Sequence, residues 1–316
     1  TAATTSMQTG LNPIEHGYLG WNVYIEPINK VITLYQNTEK GHNQVDEDFL
    51  NIKDTYYKIK TIPEQIEEEE KGLGIELFPF QKTIYTDLDD MLEKIKMATL
   101  HPGKKYIYAY DPEPDSTMHH YGPDSKEARE EITIRNEKIE RLCNELQDTI
   151  VFITADHGHK KVDSVLLKNY KDLLNTLKMT TSMEPRATSF HVKEDKHQEF
   201  EELFNKYFSK DFALYNKEEV IKSNLFGTGK EHPLFRSSLG DYIAIADDSN
   251  KALISEEDPI LTSHHAGYSE DEIYIPLIIV DKTKVKQKKI WQPQKIVLIL
   301  SQSNKERSGR HEMVKS

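Results

Sequence analysis

Cysteine is nearly absent from this chain: Cys143 stands alone among 316 residues, so no internal disulfide can form. It lies on an apolar helical stripe with Ile132, Ile139, Leu142 and Leu146, where a small buried thiol serves packing. A reducing, cytoplasmic setting is the expectation that follows. Long apolar runs are missing as well. The strongest, 275–280 and 296–300, are strand-sized, far short of the roughly 20 residues that span a bilayer. Basic residues are in deficit, 41 against 53 acidic, for a net charge of -12. They nowhere cluster densely enough to neutralise a phosphate backbone, which argues against duplex nucleic acid as a partner. The chain starts at Thr1 without a methionine, so an upstream segment is left open, and nothing in the sequence speaks to oligomeric state.

What is present reads as alternating strands and helices. The opening TAATTSMQTG has the texture of a helix that stops at Gly10 and turns through Asn12-Pro13. Leu88, Met91, Leu92, Ile95 and Met97 mark an amphipathic helix, 104–110 (KKYIYAY) a strand, and 125–148 a long amphipathic helix. The stretch 149–155 (TIVFITA) is an almost unbroken apolar strand, as expected where helices cover both faces of a parallel sheet. Strand, helix, strand is the pattern of a doubly wound α/β fold. Shorter alternating segments at 160–258 read as a small α/β insertion, a cap on a core made of 1–159 and 259–281. A lysine-rich tail, 282–316, offers one extra strand in KIVLIL.

Three segments carry metal-liking side chains. DPEPDSTMHHYGPDS, 111–125, looks too rich in proline for a helix and is expected as a loop that presents Asp115 and His119 beyond the strand before it. Asp156-His157-Gly158 ends the next strand, and Gly158 suits a sharp departure of the chain. His264-His265 precedes the strand at 275–280. Mixed carboxylate and imidazole ligands suit zinc, with manganese or iron as alternatives. Each pair alone is ordinary; a metal site requires Asp115/His119, Asp156/His157 and His265 to meet at one rim of the sheet. His120 and His264 are candidates for outer contacts. His159, His191 and His232 read as ordinary polar residues, His16 as a structural hydrogen-bonder, and Arg186 and Arg236 as solvated surface or substrate contacts.

Taken together the motifs resemble a known family. EPDSTMHHYGP is similar to the EPD-S-S-G-H-x-Y-G-P segment of the nucleotide pyrophosphatase/phosphodiesterase branch of the alkaline phosphatase superfamily. FITADHGH resembles its S-D-H-G-M strand end, TGLNPIEHGYLGWN its T-G-L-Y-P-x-x-H-G-x-x-x-N segment, and HHAGYSEDEIYIPLIIV its H-G-G-x-S-x-E-E-M-x-V-P-L-I ending. The resemblance implies an alkaline-phosphatase-like α/β fold, with a mostly parallel sheet, helices on both faces and an inserted cap. It implies a hydrolase of phosphodiesters or nucleotide pyrophosphates acting on a small phosphorylated substrate such as a nucleotide. Asp115, His119 and His265 would hold one zinc. Asp156 and His157 would hold the other, with an aspartate from a first strand and a nucleophilic threonine. Thr1 is that threonine or its neighbour, Asn22 would bond a phosphate oxygen, and the first strand with its aspartate is missing from the chain as given. Alternatives within the superfamily are a phosphomutase or a phosphonate or sulfate ester hydrolase; outside enzymes, a non-catalytic module that keeps the fold and a metal.

Overall fold

A computed structural model describes residues 2–42, 52–79 and 85–283, and the backbone of 296–299. Its largest sheet has seven strands in the order Phe212–Asn216, Tyr242–Ala246, Ala187–Phe190, Ser182–Glu184, Asn22–Ile25, Lys30–Thr33 and Thr38–Glu39. Every neighbouring pair in it is antiparallel. Alternation along Tyr242–Ala246 explains why this strand is buried on both faces. Tyr242, Ala244 and Ala246 join one core cluster, and Ile243 and Ile245 point into another. The first cluster is filled by the helix His197–Phe208, whose Phe200, Phe204 and Phe208 recur every four residues and are all buried. Burial of each ring contributes about 2 kcal/mol.

This sheet crosses the boundary expected between core and cap, since Asn22 pairs with Met183. It also corrects the expectation of a mostly parallel sheet. Parallel pairing occurs between Leu73–Leu77 and Lys105–Ala109, and between Asp163–Leu166 and Lys251–Ile254. The apolar strand Ile150–Thr154 pairs antiparallel with Tyr274–Asp281, and the extra strand from the tail, Ile296–Ile299, pairs with the other edge of Tyr274–Asp281. Among the described residues, helices do not cover both faces of Ile150–Thr154. Val151 packs inward, whereas Phe152 stays 65% exposed beside its partner Ile279, which is 45% exposed. An unbroken apolar run thus marks a strand without telling how many of its faces are buried.

The two strands that lead to the candidate ligands share one helical backing. Leu88–Thr99 and Lys126–Glu145 supply Met91, Leu92, Ile139 and Leu142 to a cluster that also takes Leu77, Ala109 and Val151 from three strands. Ser125 caps the longer helix, its hydroxyl accepting from the Ala128 amide at 3.1 Å. Cys143 is buried on that helix, as its stripe suggests. The opening helix runs Ala2–Thr9 and ends at Gly10, whose φ of +74° is a conformation only glycine adopts readily.

Candidate metal centre

The segment judged too rich in proline for a helix contains one, Asp115–Tyr121. Pro112 and Pro114 precede the helix, with Pro114 at the N-cap, and Pro123 follows it, so no ring interrupts a helical hydrogen bond. Asp115 and His119 are therefore brought together by one helical turn rather than by a loop. The segment 262–263 supplies donors to the last carbonyls of this helix, including that of Met118, which also accepts from the Gly122 amide at 2.7 Å. The Thr262 amide donates to the His119 carbonyl at 2.8 Å, the Thr262 hydroxyl to that of His120 at 2.8 Å, and the Ser263 hydroxyl to that of Met118 at 2.7 Å. Ser263 and His264 also pair antiparallel with Lys161 and Lys160. That short ladder draws 157–159, 263–265 and the helix to a single point.

The ligand atoms of Asp115, His119 and His265 lie within 4.8 Å of one another, and so do those of Asp115, His157 and His159. The His157 and His265 rings stack at 3.6 Å, and the His119 ring lies 5.4 Å from that of His265. Asp156 Oδ2 is 3.7 Å from His157 Nε2 and accepts the Thr4 hydroxyl at 2.8 Å, with the Tyr110 hydroxyl at 3.5 Å. Four of the five residues expected as ligands fall in these two groups, and Asp156 adjoins them through His157.

Hydrogen bonding fixes which nitrogen of each ring is available. His119 Nδ1 faces the Ser263 carbonyl at 2.7 Å and His157 Nδ1 faces the Gly158 carbonyl at 3.0 Å. A carbonyl has no hydrogen to give, so both rings donate from Nδ1 and leave Nε2 as a bare lone pair. Those lone pairs look at Asp115 Oδ1 from 3.5 Å for His119 and 3.9 Å for His157. Two ligands each about 2.1 Å from a tetrahedral cation stand roughly 3.4 Å apart, so the His119 spacing is that of a ligand pair. A backbone acceptor behind each imidazole is also what orients a metal-binding histidine. The donor set therefore fits a divalent cation.

Electrostatics agree. Burial opposes the charge on Asp115, yet the contact with His159 and the nearby His119 and His157 rings outweigh it and hold the carboxyl below its ordinary range. Asp156 is lowered in the same way, burial being overcome by His157 and by the Thr4 hydroxyl. His265 is pushed well below the usual imidazole range by burial and then by the His157, His159 and His119 rings, and His119 is lowered chiefly by burial. Ionised carboxylates and neutral imidazoles are the forms that bind metal.

Other expectations fare differently. Thr1 lies outside the described residues. Asn22 is buried on the strand Asn22–Ile25, and its side-chain carbonyl accepts the Thr33 hydroxyl at 2.7 Å. His264 is buried 5.5 Å from the His119 ring and held at about 4, mainly by burial. His120 is exposed, because neighbouring positions on a helix point about 100° apart and His119 takes the inward one. His16 makes the structural bonds expected of it, accepting from the Tyr18 amide at 3.1 Å and meeting the Ser6 hydroxyl at 2.9 Å. Arg186 is neither surface nor substrate contact. It is fully buried in a bidentate pair with Glu272, at 2.6 and 2.7 Å, and caps the Ser249 and Lys251 carbonyls. Arg236 is exposed and pairs with Glu231. The Gly158 position is demanded by a close approach: a Cβ there would sit 1.9 Å from the Asp271 carbonyl oxygen.

Two residues were undervalued in the sequence. Thr4 has no motif of its own beyond a hydroxyl-rich helix start. His159, read as ordinary, lies 2.6 Å from Asp115 Oδ1; the signal available was a second imidazole two places after His157 across a glycine.

Comparison with known proteins accords with this geometry. Murine ectonucleotide pyrophosphatase/phosphodiesterase 5 superposes with a TM-score of 0.61 at 19% identity, covering 84% of this chain and 71% of its own. The same murine protein as an inactive variant in complex with AMP gives a TM-score of 0.60, also at 19% identity, with coverage of 84% and 71%. Phosphonoacetate hydrolase from Sinorhizobium meliloti 1021, in complex with phosphonoformate, gives 0.59 at 14% identity, covering 88% and 78%. At such identities the likeness shows the fold, an α/β fold of the alkaline phosphatase type. No match was found among curated proteins. The model of the type I phosphodiesterase/nucleotide pyrophosphatase family, however, matches residues 1–269, and the chain belongs to that family of hydrolases.

Proposed function

We propose that this protein hydrolyses a phosphodiester or nucleotide pyrophosphate bond with two zinc ions, one held by Asp115, His119 and His265 and the other by Asp156 and His157, with manganese as the alternative metal. The observation that carries the reading is the pair of imidazoles whose Nδ1 atoms are tied to backbone carbonyls while their Nε2 lone pairs converge on one carboxylate oxygen. When bound, the cations lower the pKa of the attacking hydroxyl and neutralise charge on the phosphoryl oxygens. The nucleophile is a threonine of the opening segment. The resemblance points to Thr1 or its neighbour, and among the described residues Thr4 places its hydroxyl against Asp156. The threonine oxygen attacks phosphorus, the first alcohol or phosphate departs from the opposite side with the hydroxyl proton, and water then cleaves the threonine phosphodiester, which still carries the other ester group, to release a phosphate monoester. Because Thr33 donates to the Asn22 carbonyl, the Asn22 amide hydrogens remain as donors to a non-bridging oxygen. The AMP complex of the murine relative favours a nucleotide as the substrate class.

The test compares bis(p-nitrophenyl) phosphate with the corresponding monoester and a phosphonate, with and without added zinc. Faster zinc-dependent turnover of the diester is expected. Zinc-dependent turnover of the phosphonate alone would move the assignment to phosphonate hydrolysis, and no turnover by a folded, zinc-loaded chain would favour a metal-binding module without catalysis. Mass spectrometry of the diester reaction, rapidly quenched, locates the threonine that carries the p-nitrophenyl phosphoryl group.

A further inference from the structure

We propose that His159 is itself a metal ligand, so that His159 and the carboxylate of Asp115, shared with the first site, join His157 at the second cation. The inference rests on the metal-dependent reading above and goes beyond it. In the family resemblance this site is completed by an aspartate from a first strand, and the S-D-H-G-M motif puts methionine where this chain has His159.

His159 is held at both nitrogens of its ring. Nδ1 meets the Ser263 hydroxyl at 3.0 Å, and Nε2 reaches Asp115 Oδ1 at 2.6 Å, the oxygen that the other candidate ligands share. His119 and His157 turn their Nε2 atoms to that same oxygen, at 3.5 and 3.9 Å, and each has its Nδ1 tied to a backbone carbonyl. Three imidazoles oriented on one carboxylate oxygen by partners behind their rings is the arrangement of metal-binding histidines. A cation there would take the place of the hydrogen between His159 Nε2 and Asp115.

The ligand atoms of Asp115, His157 and His159 lie within 4.8 Å of one another, and three protein ligands with an open fourth position are the set of a catalytic zinc. His159 is also positioned as a ligand must be. Its side chain is only 3% exposed, and its ring lies edge-on to His119 at 4.6 Å, between the site and the packed ladder that carries Ser263.

Zinc stoichiometry, measured by competition with a chromophoric chelator, separates a ligand from a residue that merely holds Asp115. The intact chain should take up two equivalents. His159→Ala and His159→Met, the latter matching the family motif, should each lose one and keep the other, while His119→Ala should lose the opposite one. Cobalt substitution adds a readout that a positioning role would not move: loss of a nitrogen ligand changes the visible d–d bands. If both His159 variants keep two equivalents and unchanged cobalt bands, with affinity weakened no more than the roughly 10–100-fold expected of an outer partner, the proposal is overturned while the metal-dependent reading stands. Circular dichroism of each variant shows that it is folded; an intact chain that binds no zinc would overturn both readings together.

Discussion

Replacing Arg186 by leucine should cost this protein a large part of its stability. The guanidinium is fully buried and makes four hydrogen bonds, two to Glu272 and one each to the Ser249 and Lys251 carbonyls, at 2.6–3.0 Å. Its charge holds the Glu272 carboxyl below the ordinary range against the opposing effect of burial. Removing one partner of a buried pair strands the other, at about 3–5 kcal/mol. Domains of this class are stable by about 5–15 kcal/mol, so the loss is a substantial fraction of the whole. At roughly 2–4 °C per kcal/mol for a large domain, the unfolding midpoint should fall by about 10 °C. The damage should reach the metal centre, because Glu272 also accepts from the Gly267 amide at 2.8 Å and the Ser269 hydroxyl at 2.5 Å, two and four residues past His265. Thermal unfolding followed by circular dichroism, with chelator in every sample so that bound metal adds nothing, measures the effect. The double variant Arg186→Leu/Glu272→Leu, with no stranded charge, should recover part of the loss. A midpoint lowered by less than about 2 °C, or a double variant no more stable than the single one, would refute the reasoning.

Asp156→Ala should abolish zinc-dependent turnover while leaving far-UV circular dichroism unchanged; retained activity would remove Asp156 from the site. Gly158→Ala forces a Cβ to within 1.9 Å of the Asp271 carbonyl oxygen, so backbone must move. A stability loss of about 1–3 kcal/mol with weaker zinc binding is expected, and an unchanged zinc affinity would show that the neighbouring His157 does not depend on this close approach. Acid should destabilise the fold between about pH 6.5 and 4. Burial lowers the folded-state value of His16 to about 3 and that of His191 to about 4. The unfolded chain therefore binds protons first as pH falls, and stability declines from the ordinary imidazole value down to the folded one. His16→Gln should flatten that decline in urea unfolding measured across the range; an unaltered slope would contradict the assignment.

Much of the site was legible because it depends on local spacing and chain order. Asp115 and His119, Asp156 and His157, and His265 are identified by short motifs at element ends, and the structure gathers four of them into ligand groups with Asp156 beside His157. The reasons were less legible than the residues. Asp115-x-x-x-His119 works as a helical turn, since proline bars only a helix interior and Pro114 stands at its start. Gly158 is required by a carbonyl contributed from residue 271, which no local pattern announces. Arg186 looks like any surface cation until Glu272, 86 residues later, is placed beside it. Sheet direction was also out of reach. The period of apolar residues identifies Tyr242–Ala246 and Ile150–Thr154 as strands, but whether each neighbour runs parallel or antiparallel is settled by connections that bridge distant parts of the chain.

The pairing of Asn22 with Met183 has a consequence for how the protein is made. The strand near the amino end cannot find that neighbour until the ribosome has added the intervening stretch of roughly 160 residues, about 8–30 s of elongation at ordinary rates. Throughout that interval Val23, Ile25 and Ile32, all buried in the finished molecule, wait for part of their cover. Folding should accordingly be late and largely post-translational for the central sheet, slowed by contacts distant along the chain, and yield should improve when nascent apolar segments are shielded by chaperones.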